Sequence, residues 1–225
     1  MVKIRFTLPR FTARYRKISL AGSMLIFWQQ KLVLLATPKT GSTALSVALE
    51  PLAAIAVQRP PALKHTTAQR FRRFLAPYLE TASGTRFDVV ALMREPQDWL
   101  GSWYRFRQRD DIAGSPNSTE GLSFEQFASA YMARPQPVYA QLGSQARFLS
   151  LADGTLGVDK LFCYEDIGRL VGFLEARLDF EIQLPQVNVS PKGVTTLGAP
   201  LRQRLQTHMA EDHALYARVL AGETS

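Results

Sequence analysis

The stretch 32–44, which reads LVLLATPKTGSTA, constrains the fold of this 225-residue chain more than any other part of it. Its first residues are apolar and rich in Leu and Val, a composition and length typical of a buried strand in a parallel sheet. Pro38 and Gly41 then interrupt the apolar run, and residues 44–50 resume with helical character. A strand, a tight polar loop and a helix in this order predict an anion site, because N–H groups at the helix start converge and Lys39 adds a positive charge.

The position of the lysine distinguishes this loop from a Walker A motif. Walker A has its lysine after the second glycine, in G-x-x-x-x-G-K-[ST], whereas Lys39 here precedes Gly41 in P-K-T-G-S-T. The lysine-first order resembles the 5′-phosphosulfate loop of the sulfotransferase superfamily, whose donor is 3′-phosphoadenosine 5′-phosphosulfate (PAPS). On this hexapeptide alone, an ordinary strand-to-helix turn and a P-loop kinase or phosphatase relative remain alternatives.

A second element of the same resemblance follows the next predicted strand. Residues 87–93 form that strand, and Arg94 stands at its carboxyl end, where ligands of open α/β sheets gather. A proline then opens a helix over 96–106 that contains Ser102. Arg94 and Ser102 resemble the superfamily's 3′-phosphate-binding element, in which a guanidinium and a hydroxyl converge on one phosphate. The alternative is an ion pair of Arg94 at the surface, with Asp98 as its partner, and a serine that faces solvent.

Three further positions match the superfamily less closely. His65 precedes a helix predicted over 68–82 and resembles the catalytic histidine that sulfotransferases carry after the second strand; a surface or capping histidine is the alternative. Tyr164 ends a third strand over 158–164 and by resemblance lies near the nucleotide, with a purely structural role as the alternative. Lys192 partly matches a basic residue that closes over the 3′-phosphate, and the alternative is a solvated loop lysine.

The resemblance implies one donor site with two catalytic side chains. The residues implied to bind PAPS are Lys39, Thr40, Gly41, Ser42, Thr43, Ala44, Arg94, Ser102, Tyr164 and Lys192. Lys39 would stabilise the charge that develops on the departing nucleotide, and His65 would accept the proton of the acceptor, since its unperturbed pKa is ~6.5. The implied product is 3′-phosphoadenosine 5′-phosphate (PAP), no metal is required, and the acceptor is a hydroxyl or amine of a small molecule or glycan. The alternatives are a P-loop kinase that acts on a small molecule or nucleotide, and a non-catalytic relative that binds a nucleotide.

The rest of the chain predicts helices around a central sheet. Apolar spacing favours helices over 122–132, 167–178 and 201–220. The loop over 110–121 is rich in small polar residues and is a candidate lid over the acceptor, with a solvated insertion as the alternative. Together these patterns predict an α/β protein in which a central, mostly parallel sheet is flanked by helices, and the resemblance implies that its fold is three-layered and P-loop-like.

Composition and charge limit the number of domains and the classes of function that the chain can have. With 46% hydrophobic residues, the chain can bury the core of a single domain, which we predict over 24–225. Residues 1–23 hold six of the 27 basic residues and no acid, so the remainder carries 21 basic against 19 acidic residues despite the net charge of +8. This balance argues against nucleic-acid binding by residues 24–225. We interpret residues 1–23 as a disordered basic extension, with a transit peptide or a membrane-surface arm as alternatives.

Cysteine usage and hydropathy indicate the compartment. The single cysteine, Cys163, excludes an internal disulfide and is best interpreted as a buried strand thiol. No apolar run approaches transmembrane length, because polar residues at 29–31 interrupt the run that begins at Met24. We therefore predict a cytoplasmic enzyme without stable membrane insertion.

Overall fold

The computed structural model describes residues 22–185 and 195–224. The strands are β1 (Met24–Phe27), β2 (Leu32–Leu34), β3 (Ile55–Val57), β4 (Asp88–Met93) and β5 (Lys160–Cys163). The α-helices are α1 (Ser42–Leu49), α2 (Pro61–Lys64), α3 (Ala68–Arg70), α4 (Ala76–Ser83), α5 (Pro96–Arg107), α6 (Phe124–Met132), α7 (Gln145–Leu149), α8 (Ile167–Leu178), α9 (Ala199–His208) and α10 (Ala210–Leu220). Shorter turns of helix cover Glu50–Leu52, Phe71–Leu75, Val138–Ala140 and Tyr164–Asp166.

The five strands form one mixed sheet in the order β3-β1-β2-β4-β5. β2, β4 and β5 pair in parallel, with Val33 opposite Val89 and Ala91 opposite Leu161, whereas β1 pairs antiparallel with both β2 and β3. The α/β class with flanking helices is confirmed, but the predicted mostly parallel sheet is wrong. The turn over 28–31 is too short for the crossover that parallel pairing requires, so β1 and β2 form a hairpin.

Alternate residues of the strands face two apolar cores on opposite sides of the sheet. On one side, Val33 and Val89 pack with α3, α4, α7 and α10; on the other, Leu34 and Leu92 pack with α1 and α8. Because side chains alternate along a strand and both faces are covered, residues 89–93 of β4 are all buried. Because β2, β4 and β5 are parallel, their carboxyl ends lie at the same edge of the sheet.

A third core explains why the predicted C-terminal helix over 201–220 is two helices in the structure. This core joins α5, α6 and α9, and Met209 is 1% exposed within it. Leu215 and Val219 of α10 instead belong to the core on the sheet. Because the two halves of the segment pack on different cores, the chain bends at Met209 between α9 and α10.

The helix predicted over 68–82 is present but irregular. A π turn over Phe71–Leu75 separates α3 from α4. Pro77 lies in the first turn of α4 and has no N–H to donate to the carbonyl of Arg73, so regular α-helical bonding cannot continue through this point.

The ends of the predicted domain are partly described. β1 begins at Met24, and most of the basic segment 1–23 lies outside the described residues, as does Lys192. Across the two described ranges, none of the helices combines the length and the apolar character that crossing a bilayer requires.

Candidate functional site

The loop between β2 and α1 adopts a strained backbone. Lys39 and Gly41 have φ angles of 66° and 75°. The left-handed region costs a non-glycine residue about 1 kcal/mol or more, so surrounding contacts must hold Lys39 in it. One such contact is the indole N–H of Trp99 in α5, which donates to the carbonyl of Pro38 at 3.0 Å. The loop is therefore held against α5 in a conformation that is common at ligand sites.

The start of α1 offers positive electrostatic potential at the end of this loop. Gly41 is the N-cap residue, no side chain of the described chain caps it, and the first turn contains no acid. Ser42 and Thr43 are partly exposed, whereas the N–H of Ala44 donates to the Gly41 carbonyl at 3.0 Å within the helix. An uncapped helix start favours an anion because unpaired N–H groups and the helix dipole point outward.

Arg94 reaches the same loop from the end of β4. Its Nη1 donates to the carbonyl of Lys39 at 3.2 Å, and its Nε and Nη2 contact Oδ2 of Asp98 at 2.7 and 2.6 Å. The guanidinium carbon lies 4.5 Å from the centroid of the Tyr164 ring. That ring also packs on the loop, since a Cβ at Gly41 would lie 2.7 Å from its Cε2. The structure thus brings Lys39, Gly41, Arg94 and Tyr164 into one cluster.

Positive charge accumulates around Lys39. Burial, followed by the charges of Arg94, Arg109 and Arg105, lowers the pKa of Lys39 from 10.5 to about 7. Its ammonium nitrogen lies 4.2 Å from the ring centroid of Phe106 in α5. A pKa shifted by both desolvation and like charges is frequent at functional sites. A bound anion would reduce the repulsion between Lys39 and the arginines and would favour the protonated form of Lys39.

Two carboxylates offset part of this charge. Asp98 contacts Arg94 and also lies 3.4 Å from Nη2 of Arg105, and Asp111 contacts Arg109 at 3.0 Å. The described residues therefore pair two acids with a group of four cations that includes Lys39. The ion pair of Arg94 and Asp98 that the sequence offered as an alternative is present. However, Arg94 is only 14% exposed and reaches the loop, so the pair belongs to the cluster.

His65 lies beside the loop at the end of α2. Its Nδ1 is 2.6 Å from the carbonyl oxygen of Ala36, three residues before Lys39. A carbonyl can only accept, so Nδ1 carries the proton, and Nε2 holds the lone pair of the neutral ring. Burial lowers the pKa of His65 below 6.5, an effect that the bond to Ala36 opposes and the charge of Lys64 reinforces. The imidazole is therefore neutral at pH 7 and able to accept a proton.

For three of the predicted ligand-binding residues, the described structure gives no sign of a ligand role. The Thr40 side chain is buried and donates its hydroxyl proton to the carbonyl of Thr37 at 2.9 Å, so it braces the loop. Ser102 lies one helical turn beyond Asp98 on α5 and is 3% exposed. Lys192 lies outside the described residues. The predicted ligand roles of all three remain predictions.

Several residues of the cluster were not predicted as site residues. Trp99, Trp103 and Phe106 have helical spacing in the sequence, which marks one face of α5, but nothing local indicates that this face packs against Lys39.

Two polar partners of Arg94 were also not predicted as site residues. Asp98 is four residues from Arg94, a spacing that signals an ion pair on a helix. Gln145, which contacts the main chain of Arg94, has no local signal at all.

No protein-family model matches the sequence, and no curated protein matches it.

Proposed function

We propose that this chain is a sulfotransferase with a P-loop-like fold, which transfers a sulfuryl group from PAPS to a hydroxyl or amine of a small-molecule or glycan acceptor. One observation carries the proposal: Arg94 Nη1 donates to the carbonyl of Lys39 although the two residues are 55 positions apart. This contact supports a single site for the two elements that resemble donor-binding motifs. A nucleotide with anionic groups at two ends suits such a site better than a ligand with one phosphate.

The residues of the cluster fit this donor. Within residues 22–185 and 195–224, no side chain caps the start of α1 and four cations face two paired acids, so the site has an excess of positive charge that favours an anion. Lys39 and the start of α1 would hold the 5′ end, and Arg94 would hold the 3′-phosphate with the guanidinium N–H groups that do not contact Asp98 or the Lys39 carbonyl. By resemblance, Ser102 and Lys192 would add contacts to the same phosphate. The donor, when bound, supplies an activated sulfuryl group.

The roles of the two catalytic side chains follow from their protonation. Protonated Lys39 would stabilise negative charge on the leaving nucleotide, in a buried setting where such stabilisation is strong. His65 would accept the proton of the acceptor at Nε2, because its Nδ1 proton is held by the Ala36 carbonyl. Placement and charge stabilisation dominate transfers of this kind, as in phosphoryl transfer.

Titration calorimetry with nucleotides tests the donor assignment. We expect PAP to bind at least about tenfold more tightly than adenosine 5′-monophosphate (AMP), since one charge-assisted contact contributes roughly 1.5–3 kcal/mol. We also expect PAP to bind more tightly than ATP with Mg²⁺, because ATP lacks a 3′-phosphate for Arg94. Tighter binding of ATP with Mg²⁺ would indicate a kinase and overturn the proposal.

The lowered pKa of Lys39 predicts that PAP affinity depends on pH. A bound anion raises this pKa above its free value of about 7, so the complex holds more protons than the free protein at higher pH. The affinity should therefore fall by up to about tenfold per pH unit above pH 7, with little contribution from Lys39 below it. Calorimetry at pH 7, 8 and 9, repeated in buffers of different ionisation enthalpy, measures both the fall and the proton uptake.

Matched variants isolate the contribution of Lys39. Lys39→Met should bind PAP weakly and lose the pH dependence, since the phosphates, with a second pKa of about 6, are fully ionised above pH 7. Lys31→Met, at the opposite end of β2, should keep the wild-type profile. A wild-type affinity that is constant from pH 7 to 9 would contradict this role for Lys39.

A further inference from the structure

A buried side-chain amide holds the main chain of Arg94. Gln145, the first residue of α7, is 1% exposed. Its Oε1 accepts from the N–H of Arg94 at 2.9 Å, and its Nε2 donates to the carbonyl of Arg94 at 2.8 Å. Arg94 lies one residue beyond the end of β4, where pairing with β5 stops. The amide therefore supplies both hydrogen bonds that a neighbouring strand would otherwise provide.

Gln145 is itself held by a buried acid of the C-terminal helix. Asp212 in α10 is 2% exposed, and its Oδ1 accepts from the N–H of Ala146 at 2.8 Å. This bond caps the first turn of α7 and keeps Gln145 facing the end of β4. A five-residue helix has little stability of its own, so such a tertiary contact decides where it lies.

The main chain of Glu95, the residue after Arg94, is also held by a side chain. Oε1 of Glu165 accepts from the N–H of Glu95 at 2.8 Å, and its Oε2 accepts from the hydroxyl of Tyr216 at 2.9 Å. Both Asp212 and Tyr216 belong to α10. Hydrogen bonds thus hold the main chain at Arg94 and at the next residue, Glu95.

We propose that Gln145 is a positioning residue, which acts through the main chain of Arg94 to set the direction of its guanidinium and so the recognition of a nucleotide 3′-phosphate. This inference rests on the proposed function. The Arg94 side chain is long, and a small rotation of its peptide groups moves the guanidinium away from the Lys39 carbonyl. Recognition of a phosphate by a bidentate guanidinium tolerates little misplacement, so a residue that contacts no ligand can control it.

The variant Gln145→Met tests this role. Methionine preserves the length and approximate volume of the side chain but makes neither hydrogen bond. We expect its affinity for PAP to fall by about tenfold, a fraction of what loss of the whole guanidinium would cost, because the arginine remains but is misplaced; its affinity for AMP should stay within about twofold of wild type. Gln141→Met is the matched control, because that amide is exposed and donates to the Gln136 carbonyl at 3.0 Å.

A double variant separates positioning from general destabilisation. In an Arg94→Ala background, Gln145→Met should cause no further loss of PAP affinity, since the guanidinium that it positions is absent. A further loss of similar size, or equal weakening of PAP and AMP in the single variant, would overturn the inference and indicate a merely structural amide. If Gln145→Met does not fold, Gln145→Asn carries the same test, because its amide is one methylene shorter and cannot reach both the N–H and the carbonyl of Arg94.

The two proposals fail in distinguishable ways. A wild-type protein that binds PAP no better than AMP overturns the proposed function and this inference together. A wild-type preference for PAP that disappears in Arg94→Ala but persists in Gln145→Met overturns the inference alone. A preference that falls in Gln145→Met, with AMP affinity unchanged, supports both.

Discussion

His65→Gln is expected to slow the release of PAP from PAPS by about 10²–10⁴-fold, the usual contribution of a general base, while the affinity for PAP stays at its wild-type value. The amide of glutamine can donate to the Ala36 carbonyl as Nδ1 of His65 does, but it cannot accept a proton as Nε2 can. PAP release is measured with water or with an added alcohol or amine as the acceptor.

The pH profile of the wild-type protein provides an independent check on His65. Since burial lowers the pKa of His65 from 6.5, the rate should fall as the pH is lowered, and the midpoint of that fall should lie below pH 6.5, because protonation of the imidazole removes the base. His208→Gln, an exposed histidine at the end of α9, is the control and should release PAP at the wild-type rate. An unchanged rate in His65→Gln would exclude this histidine as the base.

Arg94→Ala has the second largest expected effect, a loss of about 100-fold in PAP affinity, because removal of a bidentate guanidinium costs roughly 3 kcal/mol. The affinity for AMP should fall by no more than about fivefold, the cost of the hydrogen bond from Arg94 to the Lys39 carbonyl, since AMP lacks the 3′-phosphate. Calorimetry of both nucleotides measures the two affinities on the same protein preparation. The comparison identifies the phosphate that Arg94 recognises.

Two further arginine variants make this result specific. Arg94→Lys retains the charge but not the planar fork that also reaches Asp98 and the Lys39 carbonyl, so we expect it to recover only part of the affinity. Arg86→Ala removes an arginine that is 62% exposed and pairs with Asp159, and it should bind PAP normally. Equal losses for PAP and AMP in Arg94→Ala would refute a 3′-phosphate role.

The residues of the candidate site were partly predictable because they follow strand ends. Lys39 follows β2, Arg94 follows β4 and Tyr164 follows β5, and these three strands are the parallel part of the sheet. Parallel strands bring their carboxyl ends to one edge, so residues distant in sequence meet there. The contact between Arg94 and the Lys39 loop agrees with that expectation.

The antiparallel part of the sheet was missed because of chain connectivity. The apolar run of β1 signals a strand as clearly as that of β2, but its direction depends on the turn over 28–31, where Lys31 adopts a φ of 52°. The short strand β3 carries a weaker signal, since its residues are only partly buried or exposed. Pairing direction is a property of how segments meet, and local hydropathy does not encode it.

By itself, the sequence determined the strand–loop–helix unit around Lys39, the strand that delivers Arg94 and the bounds of α8, because apolar periodicity and helix or turn residues act over a few positions. Only the tertiary structure decided the pKa of Lys39, the pairing of Asp98 with two arginines and the contact of Gln145 with Arg94. Burial, charge proximity and long-range hydrogen bonds depend on distances between residues far apart in the chain, and those distances exist only once the cores have packed.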